Sequence, residues 1–202
     1  MQRDYPEDLA PIIEFHGHTC PGLLIGYRAA KAALARLGVE RARDEELVAI
    51  VENDACGVDA VQYLTGATFG KGNLIFRDYG KQAFTFFSRG SGKSVRAVLN
   101  PEAIFDEERS DIKRRLAWAK SPEEQEAARA EMKVARKRAM DALLAKSDEE
   151  LFWFKEAQEL LPPPARVLPT ITCSRCGEGV VESRAVLRDG KCVCLRCAKE
   201  LD

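Results

Sequence analysis

Histidine is almost absent from this chain: there are two in 202 residues, at positions 16 and 18. Also missing is any apolar run of roughly 18 residues or more, the length that spans a bilayer, so no membrane-crossing helix is expected. An excess of charge of either sign is missing too. The 31 Lys and Arg against 32 Asp and Glu leave a formal net charge of −1, which gives no overall attraction to nucleic acid or anionic membrane. The segment from Met1 to Asp8 is charged and lacks the apolar stretch of a signal peptide. A cytoplasmic protein is expected, with its seven cysteines reduced or metal-bound rather than paired. A phosphate loop is absent as well. Gly92-Lys93-Ser94 has the ending of one, but Phe87 stands where the motif requires glycine.

Both histidines fall in one segment, Phe15-His16-Gly17-His18-Thr19-Cys20-Pro21-Gly22. Two imidazoles and a thiol in five residues are a ligand set suited to zinc, iron, nickel or copper. If the segment is extended, the side chains of His16, His18 and Cys20 point the same way. Pro21 and the alanine-rich run from Leu23 to Leu37 predict a helix that starts at Pro21 and stops near Gly38. Cys20 then sits at a helix N-terminus, where the dipole favours a thiolate that can bind metal or attack an electrophile. Cys56, after a strand-like run from Glu46 to Glu52, opens a second helix over Gly57 to Thr65 and is expected to share the lowered pKa. A metal bound by Cys56 and His18, with His16 or Cys20 completing the shell, is the site expected. Cys20 is the residue expected to be a free nucleophile if any is, and Asp59 or a histidine is the expected base.

Four regions follow from the patterning. Residues 1–100 read as an α+β core with strands at 73–78, 83–88 and 94–99, whose short connections argue for antiparallel pairing. Residues 101–161 read as a charged helical extension packed on the core. Ser121 and Ser147 each open a capping box there. Leu151-Phe152-Trp153-Phe154 is too apolar for water and is expected to dock on the core or on a second copy of the chain, so a homodimer is expected. Residues 162–169 begin with Pro162-Pro163-Pro164, a stiff linker. Residues 170–202 hold Cys173, Cys176, Cys194 and Cys197 in the C-x2-C spacing of a four-cysteine zinc site, whose metal would supply much of the folding free energy. Cys192 is expected to point away from it. Charge over residues 170–202 is nearly balanced, so nucleic-acid binding is not expected.

These motifs, with Cys56-Gly57-Val58-Asp59-Ala60-Val61-Gln62 and the loop from Thr65 to Leu74, resemble the FmdE family of formylmethanofuran dehydrogenase proteins. The resemblance implies a thioredoxin-like mixed-sheet core with a metal-bound active site, followed by a treble-clef-like zinc finger. It implies His16, His18, Cys20 and Cys56 as the site, with Asp59, Gln62 and Lys71 nearby. Ala67 stands where relatives often carry cysteine. Cys20-Pro21-Gly22-Leu23 has no second cysteine, which excludes ordinary dithiol exchange there. Three readings stay open: an accessory, maturation or subunit-type partner of a molybdenum- or tungsten-dependent oxidoreductase; a stand-alone metalloenzyme using the His/Cys-bound metal; and a structural subunit whose histidines and cysteines fill a core.

Overall fold

The computed structural model describes residues 5–104 and 107–200, and the chain divides into two compact units, 1–164 and 165–202. Among the described residues no helix is long and apolar enough to cross a membrane. The larger unit opens with α1 (Ala10–His16) and α2 (Pro21–Leu37), then β1 (Leu47–Val51), α3 (Gly57–Thr65), β2 (Leu74–Phe76), β3 (Ala83–Ser88) and β4 (Ser94–Leu99). It continues through α4 (Pro101–Ile104), α5 (Glu107–Trp118), α6 (Pro122–Ala145), α7 (Asp148–Leu151) and β5 (Phe152–Lys155). Helix α2 is bounded as its sequence dictates: Pro21 supplies the first turn and Gly38, with φ of 67°, the left-handed stop. Both serine capping boxes are present, at the starts of α6 and α7.

The sheet is mixed, in the order β2-β1-β3-β4-β5. β3 and β4 pair antiparallel, as their short connection requires, and so do β1 and β3. β2 departs from the expected antiparallel arrangement. It lies parallel to β1, with Ala49 opposite Leu74, because α3 provides the crossover that a parallel pair needs. β1 sits inside the sheet and every one of its residues is buried. Alternation sends Ala49 and Val51 to the face covered by helices, where Phe84, Phe86, Leu24 and Tyr27 are also buried. Val48, Ile50 and Phe87 face the other way, with Ala157 packed against them.

The aromatic run after α7 is not helical. Phe152–Lys155 forms the edge strand β5, antiparallel to β4, with Phe152 opposite Leu99. Phe152 is buried in the helix-covered core and Phe154 lies under the Arg36 guanidinium, 3.5 Å from the ring centre. The first hundred residues therefore share their sheet with a strand from the region whose pattern reads as a helical extension. Arg28 ties this return to α2. Its guanidinium donates to the carbonyls of Leu143 (2.6 Å) and Lys146 (2.8 Å), which lack intrahelical partners at the end of α6, and to Asp148 (2.6 Å).

The smaller unit contains β6 (Thr170–Thr172) paired with β7 (Gly179–Val181), β8 (Ala185–Arg188) paired with β9 (Lys191–Cys194), and α8 (Leu195–Lys199). Its buried apolar residues are few: Val193 and Ala198 beside Cys173 and Cys197. So small a core holds a fold only with a cross-link or a metal.

Candidate metal centres

His16 ends α1, and Gly17 follows in the left-handed conformation with φ of 90°. The segment is therefore a helix end and a reversal, not the extended stretch expected from the alternation of the two histidines. Glycine is the residue that takes this conformation without strain. The reversal sets the two imidazole centres 4.4 Å apart. Cys20 is the N-cap of α2, and its Sγ accepts from the Leu23 N–H at 3.3 Å. Cys56 is the N-cap of α3 and makes no such bond.

Glycines bring the two cysteines together. A Cβ on Gly26 would lie 2.0 Å from the Gly57 carbonyl oxygen, and one on Gly57 would lie 2.9 Å from that of Gly22. The start of α3 can press against α2 because no side chain intervenes on either helix. A Cβ on Gly22 would already touch Cys56 at 3.4 Å and the Cys20 sulfur at 3.8 Å. Gly22 and Gly26 are four apart and share one helix face, a spacing visible in the sequence.

The result is one cluster. A ligand atom from each of His16, His18, Cys20 and Cys56 lies within 4.8 Å of the other three. Tetrahedral zinc bonds of about 2.0–2.3 Å set the ligand atoms roughly 3.3–3.8 Å apart, so small side-chain adjustments suffice to coordinate one ion. The His16 ring supplies the decisive detail. Its Nδ1–H donates to Asp59 Oδ2 at 2.6 Å, which leaves the Nε2 lone pair free. That Nε2 is buried and has no hydrogen-bond partner. A buried, unsatisfied imidazole nitrogen oriented by a carboxylate is the arrangement of a metal-binding histidine.

The Cys56 thiol departs from the lowered pKa expected of a helix start. Burial pushes it up, and the neighbouring Cys20 sulfur and Asp59 carboxylate push it further. A cation between the two sulfurs reverses both charge penalties. Cys20 is buried and Cys56 is the more open of the two. Lys71 turns away from the site, its ammonium donating to the Asp44 carbonyl at 3.0 Å. Ala67 is fully buried. Asn73, a member of the loop from Thr65 to Leu74 but not one of the expected site residues, organises this loop. It accepts from the Thr68 N–H at 2.9 Å and donates to the Leu47 carbonyl at 2.9 Å. A polar side chain closing a glycine-rich loop, just ahead of a strand, was the signal available for it.

The second cluster stands apart in character. The sulfurs of Cys173, Cys176, Cys194 and Cys197 lie within 4.8 Å of one another. Backbone N–H groups of Cys176, Cys194 and Arg175 bring the Cys173 thiol down to about 6. The Cys197 thiol, hydrogen-bonded to Cys194 and partly desolvated, is pushed up to about 12. Four sulfurs this close ionise together only around a metal ion. Cys192 lies outside the cluster, exposed on β9 opposite Leu187. This cysteine cluster is of the kind that zinc fingers carry.

Residues 15–153 match the family FmdE, molybdenum formylmethanofuran dehydrogenase operon. The chain belongs to the FmdE family. A probable S-adenosyl-L-methionine-binding protein of Archaeoglobus fulgidus is 33% identical over 192 residues, covering 92% of this chain and 50% of that protein. The chain thus spans about half the length of this curated relative. The crystal structure of a tungsten formylmethanofuran dehydrogenase FmdE-like protein from Syntrophus aciditrophicus superimposes with a TM-score of 0.61. That comparison covers 96% of this chain and 91% of the other at 24% identity, a likeness of fold.

Proposed function

We propose that this FmdE-family chain is a metal-binding accessory, maturation or subunit-type partner of a molybdenum- or tungsten-dependent oxidoreductase of the formylmethanofuran dehydrogenase kind. The observation that carries the reading is the convergence of His16, His18, Cys20 and Cys56 around the orphaned Nε2 of His16. Zinc is the metal proposed for both clusters, because two imidazoles with two thiolates, and four thiolates, are both zinc-type shells. In the first cluster Asp59 acts as a positioning residue: it fixes the His16 tautomer and raises the basicity of Nε2. Cys173, Cys176, Cys194 and Cys197 form a closed structural site.

The finer fold reading belongs to the same proposal. The parallel β1–α3–β2 unit followed by antiparallel β3 and β4 supports a thioredoxin-like description of the core. A cysteine knuckle, the β8–β9 hairpin and a second pair opening α8 support a treble-clef-like finger. A cytoplasmic homodimer is proposed. All seven cysteines are unpaired with one another, and the exposed indoles of Trp118 and Trp153 favour a covered surface.

A second reading, a metalloenzyme acting alone, is favoured by one observation. A cavity of about 360 Å³ opens beside the first cluster, with His16, Cys56 and Asp59 in its wall. Anaerobic purification with metal analysis, followed by affinity capture from the native cell, tests the main reading. Co-purifying molybdenum or tungsten oxidoreductase subunits support it. A metal-loaded protein that captures none of them and turns over a small molecule by itself favours the second.

A further inference from the structure

The cavity beside the first cluster has a chemical character of its own. Its floor is apolar, formed by Val51, Val58 and Leu74. Two phenylalanines line it while remaining open to solvent, Phe69 at 76% exposure and Phe76 at 43%. Exposing two large rings at one opening wastes apolar surface unless something covers them. The ionic side chains in the wall, apart from the cluster itself, are the carboxylates of Asp54 and Asp59, and no Lys or Arg lines the cavity. The nearest cations in sequence are engaged elsewhere. Lys71 donates to the Asp44 carbonyl, Arg77 faces Glu159 at 4.0 Å, and Lys81 stands over the Tyr79 ring.

A divalent metal with two thiolates and two neutral imidazoles sums to zero charge. The carboxylates therefore leave the cavity negative with the metal in place. An anionic ligand meets repulsion there, and a cation meets both the carboxylates and the faces of two aromatic rings.

We infer that this cavity receives a small organic cation carrying a flat apolar group, with the ring against Phe69 and Phe76 and the charge towards Asp54 and Asp59. The inference rests on the reading of the first cluster as a metal centre, which sets the ligand next to a metal-bound Cys56 sulfur.

The test is calorimetric titration of the full-length, zinc-loaded protein with benzyltrimethylammonium and, separately, with phenylacetate. The ammonium is expected to bind at one site per chain and the carboxylate to show no binding. Phe69→Ala and Phe76→Ala should each weaken the ammonium about 2- to 12-fold, the range spanned by aromatic pairs. Asp54→Asn should weaken it as well, while Phe15→Ala, an exposed ring outside the cavity, should not. Equal binding of the anion, an unchanged affinity in both phenylalanine variants, or no ammonium binding through the millimolar range would overturn the assignment. Metal per chain is measured on the same samples. A fully metal-loaded protein that ignores the ammonium refutes the cavity assignment alone, and a wild-type chain lacking the first metal refutes the metal-centre reading on which it rests.

Discussion

The two clusters use the same chemistry for opposite purposes. In the smaller unit, four cysteines stand where an ordinary domain would have a core, with little more than Val193 and Ala198 buried beside them. In the larger unit a complete core of sheet and helices exists without the cluster, and His16, His18, Cys20 and Cys56 are mounted on its rim. On the proposed reading, metal makes the fold in the first case and the fold makes the metal site in the second. The surroundings, not the ligand count, mark this division, since four protein ligands close a zinc shell in either cluster. His18 is exposed, and a cavity with His16 and Cys56 in its wall opens beside the first cluster.

The largest effect expected from this contrast is in the smaller unit. Cys176→Ser or Cys194→Ser should unfold residues 170–200, because structural zinc supplies on the order of 10 kcal/mol to such folds. Limited proteolysis should remove that segment and leave the larger unit intact with its metal. A stable finger in either variant would erase the distinction.

Next comes the helix contact. Gly26→Ala places a methyl group into the Gly57 carbonyl, and the overpacking costs about 1–3 kcal/mol. Since α2 and α3 must then separate, Cys20 and Cys56 move apart. The first metal should be lost while the chain stays folded and the finger keeps its own. Retention of both metals would show that the glycine contact does not set the site.

Asp59→Asn is a milder probe. The amide can still hydrogen-bond but no longer fixes the His16 tautomer, so affinity at the first centre should fall roughly 10- to 100-fold with the finger unaffected. Competition with a chromophoric chelator separates the two sites.

Acid should discriminate them most gently. The finger's fold needs ionised thiols and a metal, so it is lost as pH falls while the larger unit's sheet-and-helix core, which needs neither, stays folded. The larger unit has carboxylates such as Asp8, which burial pushes up, but hydrogen bonds from Lys31 and Tyr27 outweigh that and hold it below its ordinary 3.8. A carboxyl depressed in the folded state stabilises fully above its unfolded pKa, and that contribution fades only as pH drops through the folded value. Asp8→Asn should therefore flatten only the acid end of the larger unit's stability curve, read by circular dichroism. Loss of the larger unit's fold before the finger's metal would reverse the comparison.

Much of this was legible in the sequence, for identifiable reasons. The four-cysteine spacing, the short strands at 83–88 and 94–99 and the Pro21-to-Gly38 helix are local signals, and local signals survive in the structure. Two features were hidden because they are set at a distance. β5 follows a capping box in charge-dense helical surroundings, and only the open edge of β4 converts Phe152–Lys155 into a strand. The turn at Gly17, not an extended segment, pairs the histidines, because α1 runs as far as His16. The likeness of Cys20 and Cys56 as helix openers was visible. The raised pKa of Cys56 was not, since it depends on burial and on the nearby Cys20 sulfur across the helix contact.

The most direct measurement is the metal count per chain, by mass spectrometry of the anaerobically purified protein, for the wild type and for Cys56→Ser. Two independent centres predict two metals in the wild type and one in the variant, with the finger still folded. A single metal in the wild type, or two retained in the variant, would contradict the account.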